Sequence, residues 1–248
     1  MKTPALSALL LALSLSVATP AMADDFDIAV SYYDSQNYSQ AFPIFKRLAE
    51  RGDVVAQHNL GWMYDNGYGV KQGYVQAVAW YRRAAEQGYA KSQYNLGVMY
   101  ENGYGVKQDY AQAAAWYRKA AEQGHAGAQY NLGNMYSGGH GVKQDYAQAV
   151  SWYRKAAEQG VARAQNNLGN MYSDGRGVRQ SYAEALAWYQ KAYAQGHASA
   201  AYNIGVRYHN GEGVRQSLNT AKEWYGRACD LGEQEGCDEY RRLNQRGY

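Results

Sequence analysis

Trp80, Trp116, Trp152, Trp188 and Trp224 follow one another at intervals of 36 residues. No other feature limits the possible folds so sharply. Each tryptophan sits in a line such as AAAWYRKAAEQG (113–124) or AVSWYRKAAEQG (149–160), and each such line follows a second one, such as YNLGVMYENGYGVKQ (94–108). A repeat of this length builds a stack in which every unit covers its neighbour's apolar face. Function in such a stack comes from an extended surface rather than from a pocket built for one reaction.

Residues 89–124 show what one unit contains. Leu96, Met99 and Tyr100 fall at helical spacing, which predicts a first helix, A, over 90–100. Asn102-Gly103-Tyr104-Gly105 stops it, because glycine reaches the left-handed backbone that ends helices. Asp109 is placed as an N-cap with Gln112 completing a capping box, and Ser181 with Glu184 repeats the pattern. A second helix, B, then runs from Tyr110 to about Gln123, with Ala113, Trp116, Tyr117 and Ala120 on its packing side. Gly61, Gly97, Gly133, Gly169 and Gly205 recur inside helix A. Each costs up to about 1 kcal/mol against alanine, which points to close helix crossing.

Other columns carry expectations of their own. Leu60, Leu96, Leu132, Leu168 and Ile204 are assigned to the core, as are Tyr64, Tyr100, Tyr136, Tyr172 and Tyr208. The fixed Asn59, Asn95, Asn131, Asn167 and Asn203 are expected to hydrogen-bond neighbouring backbone. Arg82-Arg83, Arg118-Lys119 and Arg154-Lys155 are expected to pair with Glu86, Glu122 and Glu158, one turn further along a solvated face. Three columns of helix A vary instead. They read His58, Tyr94, Tyr130, Asn166, Tyr202; then Trp62, Val98, Asn134, Asn170, Val206; then Asp65, Glu101, Ser137, Ser173, His209. Lying three or four residues apart, they line one side of each helix.

Five complete units cover 53–232, preceded by a shortened opening unit at 24–52 that lacks the glycine loop and followed by a polar capping helix at 233–248. Twelve or thirteen helices are expected. Residues 1–23 stand outside the repeat. Lys2, the apolar run from Leu6 to Ala18 and the small-x-small pattern at Ala21-Met22-Ala23 predict a signal peptide cleaved after Ala23, hence a periplasmic or secreted product. The apolar run is too short for a comfortable membrane span, so no stable membrane insertion of the mature chain is expected. The formal charge of +3 becomes +2 once Lys2 is removed, which gives no reason to expect nucleic acid as a partner. No His-Glu-x-x-His string, paired Cys/His ligand string or Gly-x-Ser-x-Gly occurs, and the Ser-x-x-Lys, Ser-Asp-Asn and Lys-Thr-Gly set is absent. No catalytic residue, metal ligand or cofactor is therefore assigned, and an enzyme is the less favoured reading.

The strings AQYNLGNMYSGGHGVKQDYAQAVSWYRKAAEQG (128–160) and SQYNLGVMYENGYGVKQDYAQAAAWYRKAAEQG (92–124) closely resemble the Sel1-like repeat, a relative of the tetratricopeptide repeat. The resemblance covers 53–232 at full strength and the flanks weakly. It implies an all-α, right-handed α/α superhelical solenoid of antiparallel helix pairs that serves as an adaptor. It also implies that the varied side of helix A lines a concave groove for a protein or peptide partner, in the cell envelope or on a host cell. Carried over by column, His58, Trp62, Tyr94, Glu101, Tyr130, Asn134, Asn166, Asn170 and Tyr202 are the candidate partner-binding residues. The tyrosines would supply broad contacts and the asparagines hydrogen bonds. Cysteine-rich relatives join the two places held here by Cys229 and Cys237, which implies a disulfide across the last hairpin; free thiols are the other reading. Closing so short a loop contributes about 2–3 kcal/mol. Some of those relatives have been described as penicillin-binding. The alternative function is accordingly a peptidoglycan- or β-lactam-binding protein with weak hydrolase activity.

Overall fold

A computed structural model describes residues 20–248 and contains thirteen α-helices and no strand among them. In chain order they are α1 Pro20–Asp34, α2 Tyr38–Glu50, α3 Val54–Asn66, α4 Tyr74–Glu86, α5 Ala90–Asn102, α6 Tyr110–Glu122, α7 Ala126–Gly138, α8 Tyr146–Glu158, α9 Ala162–Asp174, α10 Tyr182–Tyr193, α11 Ala198–Asn210, α12 Leu218–Asp230 and α13 Gln234–Gln245. Of the residues that carry the signal-peptide expectation, 1–19 lie outside the described residues. The opening hairpin keeps both helices and joins them through residues 35–37, where the next unit uses the loop 67–73.

Every helix packs on the next one in the chain. Side-chain contacts between units then sort the helices into two layers. His58 of α3 meets Ser92 of α5, and Arg207 of α11 meets Ser173 of α9, so the A helices are neighbours. Tyr193 of α10 meets Trp224 of α12, so the B helices are neighbours as well. The molecule is an all-α solenoid of paired helix hairpins.

The centre of each unit is a tyrosine of helix B: Tyr81, Tyr117, Tyr153, Tyr189 or Tyr225, all buried. Its ring lies against the helix-A glycine of the same unit. A Cβ at Gly61, Gly97, Gly133, Gly169 or Gly205 would stand 2.5–2.7 Å from that ring. The close approach expected at these glycines is therefore made by a side chain seated in the notch. The alanines Ala84, Ala120, Ala156, Ala192 and Ala228 are fully buried beside it. Each tryptophan instead packs across the junction onto the preceding core: Trp80 on the cluster of Leu48 and Leu60, Trp116 on that of Tyr81 and Leu96.

Several expectations need correction. Tyr64, Tyr100, Tyr136, Tyr172 and Tyr208 are only half-buried. The hydroxyls of Tyr100, Tyr136 and Tyr172 accept hydrogen bonds from Arg82, Arg118 and Arg154 at 2.6, 2.6 and 2.8 Å. The following cation lies over the indole, with Arg83, Lys119 and Lys155 at 4.4, 4.0 and 4.1 Å from the rings of Trp80, Trp116 and Trp152. Among the described residues, none of these cations forms the expected ion pair with Glu86, Glu122 or Glu158. An exposed helical ion pair is worth only a few tenths of a kcal/mol, and the half-buried aromatic partners outcompete it. The capping box is also half-formed. Asp109 and Ser181 accept from the backbone N–H of Gln112 and Glu184, but their own N–H groups already donate to Tyr100 and Tyr172 carbonyls at 2.9 Å.

The long loop is held against the neighbouring unit. Gly105 has φ +67°, and a Cβ there would lie 2.3 Å from the backbone carbon of Tyr74, at the start of the preceding helix B. At the opposite end of the hairpins, where B helices end and A helices begin, runs a relay that composition and spacing did not reveal. Gln57, Gln93, Gln129 and Gln165 are buried, and each donates from Nε2 to a carbonyl of the preceding helix B: Ala49, Ala85, Ala121 and Ala157 at 3.0–3.2 Å. Each accepts in turn at Oε1 from a second glutamine at the end of its own hairpin, namely Gln87, Gln123, Gln159 and Gln195, at 2.7–2.8 Å. In the last full unit the two positions are Ala201 and Leu231. Donor and acceptor are lost together there, and the next connection is covalent: Cys229 and Cys237 form a disulfide that ties α12 to α13.

This packing sets three expected outcomes. Gly97→Ala should destabilise the protein by about 1–3 kcal/mol in urea unfolding despite alanine's better helix propensity, because the new methyl meets the Tyr117 ring. Gln93→Ala should cost about 1–3 kcal/mol. Adding Gln123→Leu should cost less than the sum of the separate changes, since the pair then matches Ala201 and Leu231; a double-mutant cycle measures that coupling.

Candidate functional site

The varied side of helix A begins with the buried tyrosines, because each hydroxyl emerges beside it and needs an acceptor. Tyr81 donates to Asp65 Oδ2 at 3.3 Å and Tyr117 to Glu101 Oε2 at 2.5 Å. Tyr153 donates to Asn134 Oδ1 at 2.8 Å and Tyr189 to Asn170 Oδ1 at 2.7 Å, while Tyr225 lies 3.4 Å from His209 Nδ1. Two of the three varied columns therefore trade one duty. Asp65, Glu101 and His209 accompany Trp62, Val98 and Val206, whereas Ser137 and Ser173 accompany Asn134 and Asn170. That exchange is visible in the aligned columns once the tyrosine's requirement is known. Burial drives the phenol pKa values upward in all five units, with Tyr189 pushed up to about 12, so the hydroxyls stay protonated donors.

The third column forms an aromatic row above them. Tyr94, Tyr130 and Tyr202 are half-buried, with ring centroids 5.8, 6.2 and 5.5 Å from Tyr117, Tyr153 and Tyr225. Tyr94 also stacks on His125 at 4.6 Å, and Gly127 leaves room for the pair, since a Cβ there would stand 3.3 Å from both rings. His125, which the sequence columns placed only at a junction, caps α7 by accepting from Ala128 N–H at 3.1 Å. His58 shares a 2.9 Å hydrogen bond with buried Ser92 of the next helix A. Trp62, one turn along α3 in the neighbouring column, adds open apolar surface at 38% exposure.

The asparagines do something other than expected. No hydrogen bond from the fixed asparagine side chains to backbone is found among the described residues. Asn203 Nδ2 instead donates to Asn166 Oδ1 at 3.0 Å and Asn170 Oδ1 at 3.2 Å, and Asn167 Nδ2 reaches Asn134 Oδ1 at 3.4 Å. Helices α7, α9 and α11 are thus laced by side-chain amides, which supply donor and acceptor alike where a carbonyl within a helix is already bonded. Asn166 is 7% exposed, so it acts within this network, and Asn134, Asn170 and Glu101 each have one oxygen committed to a tyrosine. Further along, Arg207 occupies the column of the buried Met63, Met99, Met135 and Met171. Its guanidinium donates to Ser173 Oγ at 2.6 Å, pairs with Glu212 at 3.0 Å and lies 5.3 Å from the Tyr182 ring. Among the described residues, no three His, Cys, Asp or Glu side chains gather as a metal site requires. No described helix is long and apolar enough to cross a membrane.

A row of like hairpins presenting aromatic and amide side chains along one layer defines a repeat protein of the helix-hairpin class. The Sel1 repeat pattern matches residues 54–89, 90–125, 126–161, 162–197 and 198–233, and the chain belongs to the Sel1 repeat family. Two solved structures are similar over most of the chain. One is c5321, a protective antigen present in uropathogenic Escherichia coli strains, at 36% identity and a TM-score of 0.86 over 91% of this chain and 49% of that one. This chain therefore spans about half of that protein's length. The other is a Sel1 repeat protein from Oxalobacter formigenes, at 34% identity and a TM-score of 0.80 over 86% of this chain and 85% of that one. No curated protein matches the chain.

Acid should loosen the row. Burial, aided by the nearby Lys91 charge, lowers the His58 pKa from 6.5 to about 4, and burial lowers those of His125 and His197 in the same direction. Between about pH 6.5 and 4 the unfolded chain takes up protons that the folded chain refuses, so folding stability falls across that window as pH falls and flattens below it. His58→Gln should remove about 1–3 kcal/mol of that drop, read from urea midpoints at pH 7 and pH 5.

Proposed function

We propose that this protein is an exported scaffold that binds a protein or peptide partner through the concave side formed by its A helices. The observation that carries the reading is the aromatic row. Trp62 offers open apolar surface, and Tyr94, Tyr130 and Tyr202 offer half-buried ring faces; α3 and α5, which carry the first two, are joined by the His58–Ser92 bond, and Tyr130 and Tyr202 stand on helices laced to α9 by side-chain amides. Rings fixed before a partner arrives lose little conformational entropy on binding, which is how preorganised surfaces gain affinity. Among the candidate residues, Trp62, Tyr94, Tyr130 and Tyr202 are the contact set, with His58 at the margin. Glu101, Asn134, Asn166 and Asn170 act mainly by fixing the surface, because one oxygen of each is engaged within it.

Export is supported by the N-terminal pattern of Lys2, the apolar run and Ala21-Met22-Ala23, and agrees with likeness to a protective antigen. On this reading the protein works in the periplasm or outside the cell. The disulfide suits such a compartment, where thiols are oxidised.

The test is capture of envelope proteins by the purified chain, repeated with Trp62→Ala, Tyr94→Ala and Tyr130→Ala combined. The expected result is at least about a tenfold loss of a saturable partner, with helical content unchanged and the variant still fully folded at the assay temperature. Equal recovery by the variant would remove these residues from the interface. Export is checked separately by the N-terminal sequence of the exported product, expected to begin at Asp24.

A further inference from the structure

Five of the six tryptophans carry a cation of their own helix over the indole. Arg83, Lys119, Lys155, Lys191 and Arg227 lie 3.9–4.4 Å from the rings of Trp80, Trp116, Trp152, Trp188 and Trp224. Among the described residues Trp62 has no such cation, and it alone of the six is exposed. Asp65 stands one turn further along α3, on the same side of the helix. An uncovered indole and a carboxylate thus lie next to each other.

The fold itself does not call for the charge. Asp65 and Glu101 accept the hydroxyls of Tyr81 and Tyr117, but Asn134 and Asn170 do the same for Tyr153 and Tyr189 with neutral amides. Both carboxylates also sit in the last turn of their helices, where the macrodipole disfavours a negative group. Burial raises the Asp65 pKa even though the Tyr81 hydrogen bond acts to lower it, so the folded chain works against ionisation there. Among the described residues neither carboxylate has an ion pair, and neither has a hydrogen bond beyond its tyrosine. Lys91 is no substitute, since it lies near the start of α5 and acts on His58 and His125. A charge that costs the fold, where an amide would serve, is explained by something outside the fold.

A guanidinium group answers both features at once. Its plane stacks on an aromatic face, and its N–H groups meet a carboxylate in a fixed fork. The indole is the strongest of the aromatic rings in attracting a cation. Glu101 offers the next carboxylate on α5, which the His58–Ser92 bond joins to α3. We infer that the A-helix surface recognises a basic partner segment, in which one arginine side chain lies over Trp62 and pairs with Asp65 while a second pairs with Glu101. The basic segment is the partner chemistry of the surface proposed above and rests on that reading. Ser137 and Ser173 stand in the same column of the next two units, so the carboxylates confine this recognition to the N-terminal half of the row.

The test uses the purified chain and a fluorescein-labelled Gly-Ser peptide of about twelve residues containing about four arginines, read by anisotropy at low salt. It should bind at least about tenfold more tightly than the same peptide with citrulline, an uncharged isostere, in place of arginine. Asp65→Asn/Glu101→Gln should weaken binding about tenfold, with a urea midpoint no lower than that of the parent chain, because each tyrosine keeps an acceptor. Trp62→Leu should weaken it about threefold by removing the ring but not the apolar bulk. Glu122→Gln/Glu158→Gln makes the same charge change at exposed helix-B positions and should leave binding unchanged. Equal binding of the arginine and citrulline peptides, undiminished binding by Asp65→Asn/Glu101→Gln, an equal loss in the helix-B control, or a lowered urea midpoint in Asp65→Asn/Glu101→Gln would overturn the assignment. Those results would leave the scaffold reading in place, which falls instead if partner capture survives Trp62→Ala, Tyr94→Ala and Tyr130→Ala combined.

Discussion

A tyrosine ring seated on a glycine, once per hairpin, sets the separation of the two helices and with it nearly everything else. The notch excludes even a methyl group at Gly97 or Gly133. It also drives the phenol hydroxyl to the far side of helix A, where an unpaired polar group is expensive. Asp65, Glu101, Asn134, Asn170 or His209 must meet it. The core thereby reaches out and dictates the chemistry of a surface that would otherwise be free to vary.

Between units, different interactions take over. The indoles close each junction under a cation, and the glutamine relay spans three successive helices with buried hydrogen bonds. Both act between nearest neighbours only, as expected of a stack whose stability is a sum of unit and interface contributions. Surfaces that run along such a stack inherit its regular step. The aromatic row proposed as a binding surface depends on that regularity.

The helices, their limits and the turn glycines were legible because they follow from local spacing, and Asp109 and Ser181 cap where their sequence context places them. Side-chain partners were less so. Arg82 chooses Tyr100, eighteen residues on, over Glu86 on its own helix, and no local rule weighs those two options. The tyrosines assigned to the core, Tyr64 and its equivalents, proved half-exposed, while those beside the tryptophans are the buried ones; both columns are fixed, so invariance within the chain could not rank them. In the candidate site, variation among the columns reads from sequence as a sign of recognition. Half of it is compensation instead, Asn134 serving where Ser137 falls short. The glutamine relay escaped notice because glutamine is ordinarily a surface residue, although Ala201 and Leu231 change in concert.

The end of that relay has a consequence for how the array meets its surroundings. Through the first four full units, cohesion rests on amide hydrogen bonds that no reductant touches. At the final hairpin it passes to a sulfur–sulfur bond beside a leucine left 43% exposed. One terminus is thus sensitive to the thiol content of its compartment while the remainder is indifferent to it. A chain held in a reducing cell interior would keep its body folded and fray at its last helix, and passage into an oxidising space would seal that end.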